Sequence, residues 1–130
     1  MGFLKTQLVN HWTVVQFRTS RLTDPMTVAE LSSELEKLVA TLPLRCRIAV
    51  SFAGVDHVSS EVIGLLLGLR DRVAKKHGEL VLCKLGKHVI DIMRITRLDR
   101  HFTFSPSVSQ VVGKRPERAA ASIETLEWMD

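Results

Sequence analysis

The stretch Ile48-Ala49-Val50-Ser51-Phe52-Ala53-Gly54-Val55-Asp56-His57-Val58-Ser59-Ser60-Glu61-Val62-Ile63-Gly64-Leu65-Leu66-Leu67-Gly68-Leu69 decides the fold. Its beginning is a short apolar run, read as a buried strand over Arg47–Phe52 and closed by a glycine. Its end carries aliphatic residues at helical spacing, and the pattern holds from about Ser60 to Lys76. Val62, Leu65, Leu66, Leu69 and Val73 form the stripe expected to be buried. Ser59 can cap this helix while Ser60 takes its first position. Basic residues in the last turn and His77-Gly78 stop it, with Gly78 the expected C-cap. A second apolar run, Leu80–Cys83, follows at once. A strand, a helix and another strand in this order imply parallel pairing through a right-handed crossover.

The same alternation extends in both directions. Phe3–Val9 and Trp12–Phe17 read as strands, and Asn10-His11 between them is short enough for a hairpin turn. Asp24-Pro25 starts another helix, since Asp caps and Pro tolerates the first helical position. A competing capping box at Thr27 and Glu30 leaves that start uncertain by one turn. Val28, Leu31, Leu35, Leu38 and Val39 form its apolar side, Glu30, Ser33, Glu34 and Lys37 its wet side, and Pro43 ends it. A third helix is expected over Lys87–Thr96, burying Val89, Ile92 and Met93. A short strand at Phe102–Phe104 and a small helix near Ser107–Val112 then complete a domain over 1–113. Lys114-Arg115-Pro116 breaks the pattern and leaves a tail over 114–130. Within it Ile123, Leu126 and Trp128 suit one or two helical turns that dock on the domain or on another chain. The fold class is α/β: a small, mixed, mostly parallel sheet of four or five strands with about four helices packed on it.

Composition narrows the function. The chain has 130 residues, 45% of them apolar and 25% charged, as expected of one globular domain. At that size a multidomain enzyme is not expected. Its two cysteines, Cys46 and Cys83, are too few for a disulfide framework and lack metal-ligand spacing. The longest apolar run, Val62–Leu69, is far too short for a bilayer span, and the first ten residues contain no signal-peptide core. Met1-Gly2-Phe3-Leu4-Lys5-Thr6 fits the loose myristoylation pattern, but lipidation is not expected. A cytoplasmic protein without a membrane partner is therefore expected. The net charge of +4 invites a nucleic-acid reading. The basic residues, however, are scattered, tyrosine is absent and no recognition motif is present, so no nucleic-acid partner is expected.

Chemistry is concentrated between the central strand and the helix that follows it. Asp56, His57 and Ser60 lie too close in sequence to fold into a nucleophile–base–orienter relay, and there is no nucleophile elbow. No phosphate-binding glycine loop follows any strand, and His57 has no partner at ligand spacing. No catalytic residue, metal or cofactor is therefore expected. What remains is Ser59-Ser60 as a helix cap that doubles as a modification site. Ser60, Gly64 and Gly68 follow one another at intervals of four and make a strip of small residues down one side of the helix. Such a strip either lets the helix approach the sheet or gives a partner room to approach the helix. The aliphatic stripe already supplies a buried face, so the second reading is preferred.

At these residues the sequence resembles the STAS domain family of bacterial anti-sigma factor antagonists, from about Leu8 to Val112. Val55 to Leu69 is similar to the family's pattern of a hydrophobic strand, an acidic residue, an aromatic and an aliphatic, then Asp-Ser-[Ser/Thr]-Gly-Leu-Gly. Arg21-Leu22-Thr23-Asp24 resembles its turn before the first helix. Gly78–Cys83 and Ile95–Phe102 resemble its next strand and the end of its third helix. The chain departs from the pattern where Ser59 replaces Asp, Glu61 replaces a small hydroxyl residue and Val62 replaces the first glycine.

The resemblance implies partner switching. On that resemblance the protein is expected to bind an anti-sigma factor that is also a serine kinase, to be released when that kinase phosphorylates it, and to be reset by a serine phosphatase. Carried over by position, the phosphorylated residue is Ser60, with Ser59 as second choice. The partner-binding residues are Asp24, Ser59, Ser60, Glu61, Gly64 and Gly68. The alternative is a constitutive interaction or scaffold module of a signalling complex, never phosphorylated. A second copy of the chain, giving a homodimer, stays open as a further partner.

Overall fold

The computed structural model describes residues 3–113. The turns expected at Ile123, Leu126 and Trp128 lie outside the described residues.

β1 (Leu4–Val9) and β2 (Trp12–Phe17) form the antiparallel hairpin, with Asn10 and His11 both at positive φ in its turn. From β2 the sheet runs in parallel through β4 (Arg47–Ser51), β6 (Glu79–Cys83) and β7 (Thr103–Ser105), giving the order β1-β2-β4-β6-β7. Three helices provide the crossovers: α1 (Pro25–Thr41), α2 (Ser60–Lys75) and α3 (Lys87–Ile95). A 3-10 turn at Leu98–Arg100 and a short α4 (Val108–Val112) complete the described chain. The sequence reading missed one further pair. β3 (Arg21–Leu22) and β5 (His57–Val58) are two-residue parallel strands forming a separate small sheet.

Alternation in the central strands divides the core. Val15, Ile48, Val50, Leu82 and Phe104 point to one face, where they pack with the apolar stripes of α1, α2 and α3. Val14, Ala49, Val81 and Cys83 point to the other, against Trp12 and Val111 of α4. Burial on both faces explains why these strands read as almost continuous apolar runs. Each fully buried aliphatic side chain stabilises the fold by about 1.5–3 kcal/mol relative to exposure. Both cysteines are buried and unpaired, and burial pushes the Cys83 thiol up to about 12, so it stays protonated and unreactive.

Four expectations change in detail, the first being that α3 buries Val89 and Met93 but leaves Ile92 half-buried. Ile63 belongs to the buried face of α2, whereas Leu65 is only half-buried, because the helix turns that side toward a groove beside α1. Glu34 does not simply face water: its carboxylate accepts the backbone N–H groups of Phe3 and Leu4 at 3.0 and 3.2 Å and anchors the start of β1. Gly78 is not the left-handed residue after α2; His77 takes that conformation, at φ 57°. Gly78 is needed for close packing. A Cβ there would run into the Cys46 carbonyl oxygen and lie 2.9 Å from its Sγ.

Candidate functional site

β3 and β5 bring two helix starts together. Leu22 pairs with Val58, and the Ser59 N–H donates to the Leu22 carbonyl at 2.9 Å. Asp24 follows β3 and caps α1; Ser59 follows β5 and caps α2. The parallel pairing of two residues thus sets the first turns of both helices side by side.

The two caps differ in chemistry. Asp24 Oδ2 accepts from the Thr27 N–H at 3.0 Å and from the Thr27 hydroxyl at 3.2 Å, so its charge sits where the free N–H groups of α1 favour it. This settles the start of α1 at Asp24-Pro25 rather than at Thr27. Ser59 Oγ accepts from the Val62 N–H at a longer 3.4 Å, a neutral and weaker cap. Ser60 is the first helical residue, and both it and Glu61 are exposed. Glu61 is the one acidic residue of that turn.

Down the same helix, Gly64 is exposed and Gly68 half-buried. A Cβ at either would meet no atom of the described residues within 4 Å. The glycines are therefore not there to bring α2 closer to the sheet. With Leu65 and Arg72 they form one wall of a groove of about 200 Å³, and Ser32, Leu35 and Glu36 of α1 form the other. An ion pair between Arg72 and Glu36, at 3.0 Å, bridges its two walls. The contribution of α1 was invisible in sequence, because Ser32 and Glu36 look like ordinary residues of a solvated face.

One more pairing was missed. The ring of His57 lies 5.2 Å from that of His88 on α3, centre to centre, where both residues are exposed. Thirty-one positions separate them, so no local spacing connects them. Gly86, the residue before α3, lies beside the His57 segment, where a Cβ would make an ordinary contact with the Val55 carbonyl at 3.8 Å. Among the described residues no group of three or more His, Cys, Asp or Glu has the geometry to hold a metal. No described helix is long and apolar enough to cross a membrane.

The STAS domain profile matches residues 6–111. The chain belongs to the STAS domain family. Solved structures agree on the fold. An anti-sigma-factor antagonist (STAS) domain protein from Planctomyces limnophilus superposes with a TM-score of 0.77 at 17% identity, covering 86% of this chain and 96% of that one. The anti-sigma factor antagonist SpoIIAA in its unphosphorylated form gives 0.64 at 12% identity, over 88% and 98% of the two chains. The Bacillus cell fate determinant SpoIIAA in its phosphorylated form gives 0.63 at 14%, over 86% and 99%. A comparison with the curated proteins finds no match. The STAS domain of this chain thus keeps the architecture of anti-sigma factor antagonists, with a sequence that has diverged widely from theirs.

Proposed function

We propose that the protein is an anti-sigma factor antagonist that works by partner switching. It is a cytoplasmic, non-enzymatic regulator. It docks an anti-sigma factor that is also a serine kinase, using the start of α2, Asp24 beside it, and the Gly64–Gly68 side of the helix. Phosphorylation of Ser60 releases the partner, and a serine phosphatase resets the switch. The observation that carries this reading is the division of labour at the helix start: Ser59 takes the cap and leaves the adjacent Ser60 exposed at the first helical position. Likeness in fold to an antagonist solved in both phosphorylated and unphosphorylated forms supports it.

The energetics favour a switch that leaves the domain folded. Free N–H groups and the helix dipole stabilise a phosphoryl group at Ser60 in the free protein. In the complex the same group adds about −1.5 to −2 charges to a surface that already carries Glu61 and Asp24. Repulsion and the cost of desolvating that charge weaken docking. No internal rearrangement is required.

Glu61 gives the second reading its support. A fixed carboxylate one residue from Ser60 changes the surface a kinase would read, and suits a module that docks constitutively. Binding assays with the host's anti-sigma factor serine kinases, taken one at a time, separate the two. Under partner switching, ATP dissociates the complex of the native chain but not that of Ser60→Ala, and Ser60→Asp binds weakly. A complex equally stable with and without ATP supports the constitutive module.

A further inference from the structure

A second surface lies at the other end of the sheet from Ser60, where β4 begins and α1 ends. Leu8, Leu42, Pro43 and Cys46 line an open groove of about 680 Å³ there, with Arg45 and Arg47 on its margin. Sites of this volume hold a compact apolar ligand or a few large side chains. Leu8 is 76% exposed, and Leu44 in the adjoining loop is 72% exposed. Aliphatic side chains this open, beside a concave apolar wall, mark a surface that another segment covers.

Its electrostatics select that segment. The Arg45 N–H donates to the Lys76 carbonyl at 2.7 Å, which holds Arg45 at a positive φ of 63° and fixes its position on the margin. Among the described residues Arg45 has no ion pair, and Arg47 has only Glu79, at 3.4 Å. An acidic amphipathic peptide fits such a site. The chain carries one: Ile123-Glu124-Thr125-Leu126-Glu127-Trp128-Met129-Asp130 alternates large apolar residues with carboxylates and contains no base.

The path is short. The Asn10 side-chain amide donates to the Val112 carbonyl at 3.0 Å and ties the end of α4 to the hairpin turn, two residues from Leu8. Residues 114–122 between that tether and Ile123 reach up to ~30 Å when extended, enough to round the edge of the sheet. We infer that Ile123–Asp130 of the same chain occupies this groove, with its apolar side chains against Leu8, Leu42 and Pro43 and its carboxylates facing Arg45 and Arg47. Tethering raises the effective concentration into the millimolar range, so modest contacts suffice. This surface is separate from the Ser60 site and does not depend on the switching reading.

Trp128 reports on the groove directly. In the full chain carrying Trp12→Phe it is the sole tryptophan, and acrylamide quenching measures its exposure. Quenching several-fold weaker in the folded protein than in urea, independent of protein concentration, is expected. Adding Leu8→Glu and Arg45→Glu, both at exposed positions, should restore the quenching seen in urea. Should Trp12→Phe fail to fold, fluorine NMR of fluorotryptophan in the native sequence gives the same answer, through a Trp128 resonance that moves with Leu8→Glu. Equal quenching in folded and unfolded protein would overturn the inference, as would a groove variant without effect. Protection that falls on dilution would assign the groove to a second copy and overturn the intrachain assignment.

Discussion

The two sides of α2 contrast in what they ask of their residues. On the inner side Val62, Ile63, Leu66, Leu69 and Val73 are buried against the sheet and the other helices. On the outer side Ser60, Gly64 and Gly68 leave a small-residue strip with unfilled space above both glycines. Glycine inside a helix costs about 1 kcal/mol relative to alanine. Gly78, in the connection after α2, shows a glycine kept for close packing, since a Cβ there would run into the Cys46 carbonyl oxygen. Along the groove none of the described residues packs against the glycines, and under the proposed function the benefit lies in what approaches from outside. On that proposal one helix carries a stability face and an interaction face, and substitutions on the two should separate cleanly.

Leu66→Asp tests the inner face most severely. It buries an unpaired carboxylate at a fully buried position, which costs several kcal/mol and should leave the domain unfolded by circular dichroism. A normal melt would move the stability face elsewhere. Gly78→Ala should destabilise by about 1–3 kcal/mol in urea titration, because its Cβ meets backbone of Cys46 that has little room to shift. Ser59→Ala removes the long cap bond and should cost about 0.5–1 kcal/mol. Gly68→Arg has the smallest effect on stability. Gaining a better helix former is worth up to about 0.8–1 kcal/mol, and like charge with Arg72 four residues on takes back about 0.2–0.5. A net gain of about 0.5 kcal/mol is expected, together with loss of partner capture. Marked destabilisation by Gly68→Arg would instead show the glycines to be structural.

Strong periodicity is what made the fold legible. Ile48–Phe52 and the stripe from Val62 to Val73 each carry enough apolar repeats to specify type and direction, and Ser59-Ser60 marks the helix start. β3 and β5 were missed because two residues cannot show a period; their pairing follows from the backbone hydrogen bonds of Ser20 and Leu22. After α2, whose C-cap is Lys76, the left-handed position falls to His77, while Gly78 lies in close contact with Cys46. At the candidate site, the residues contributed by α2 were readable locally. The opposing wall from α1 and the His57–His88 contact were not, since tertiary packing alone joins segments so far apart in sequence.

The central claim is that the first residue of α2 receives the phosphoryl group. Phosphosite mapping by tandem mass spectrometry, after incubating the native chain with ATP and the ATPase that captures it, tests this most directly. The account predicts one phosphate, on Ser60, absent from Ser60→Ala and unaffected in Ser59→Ala. Phosphate on Ser59 alone, or an unmodified chain in a stable complex with an active kinase, would contradict it.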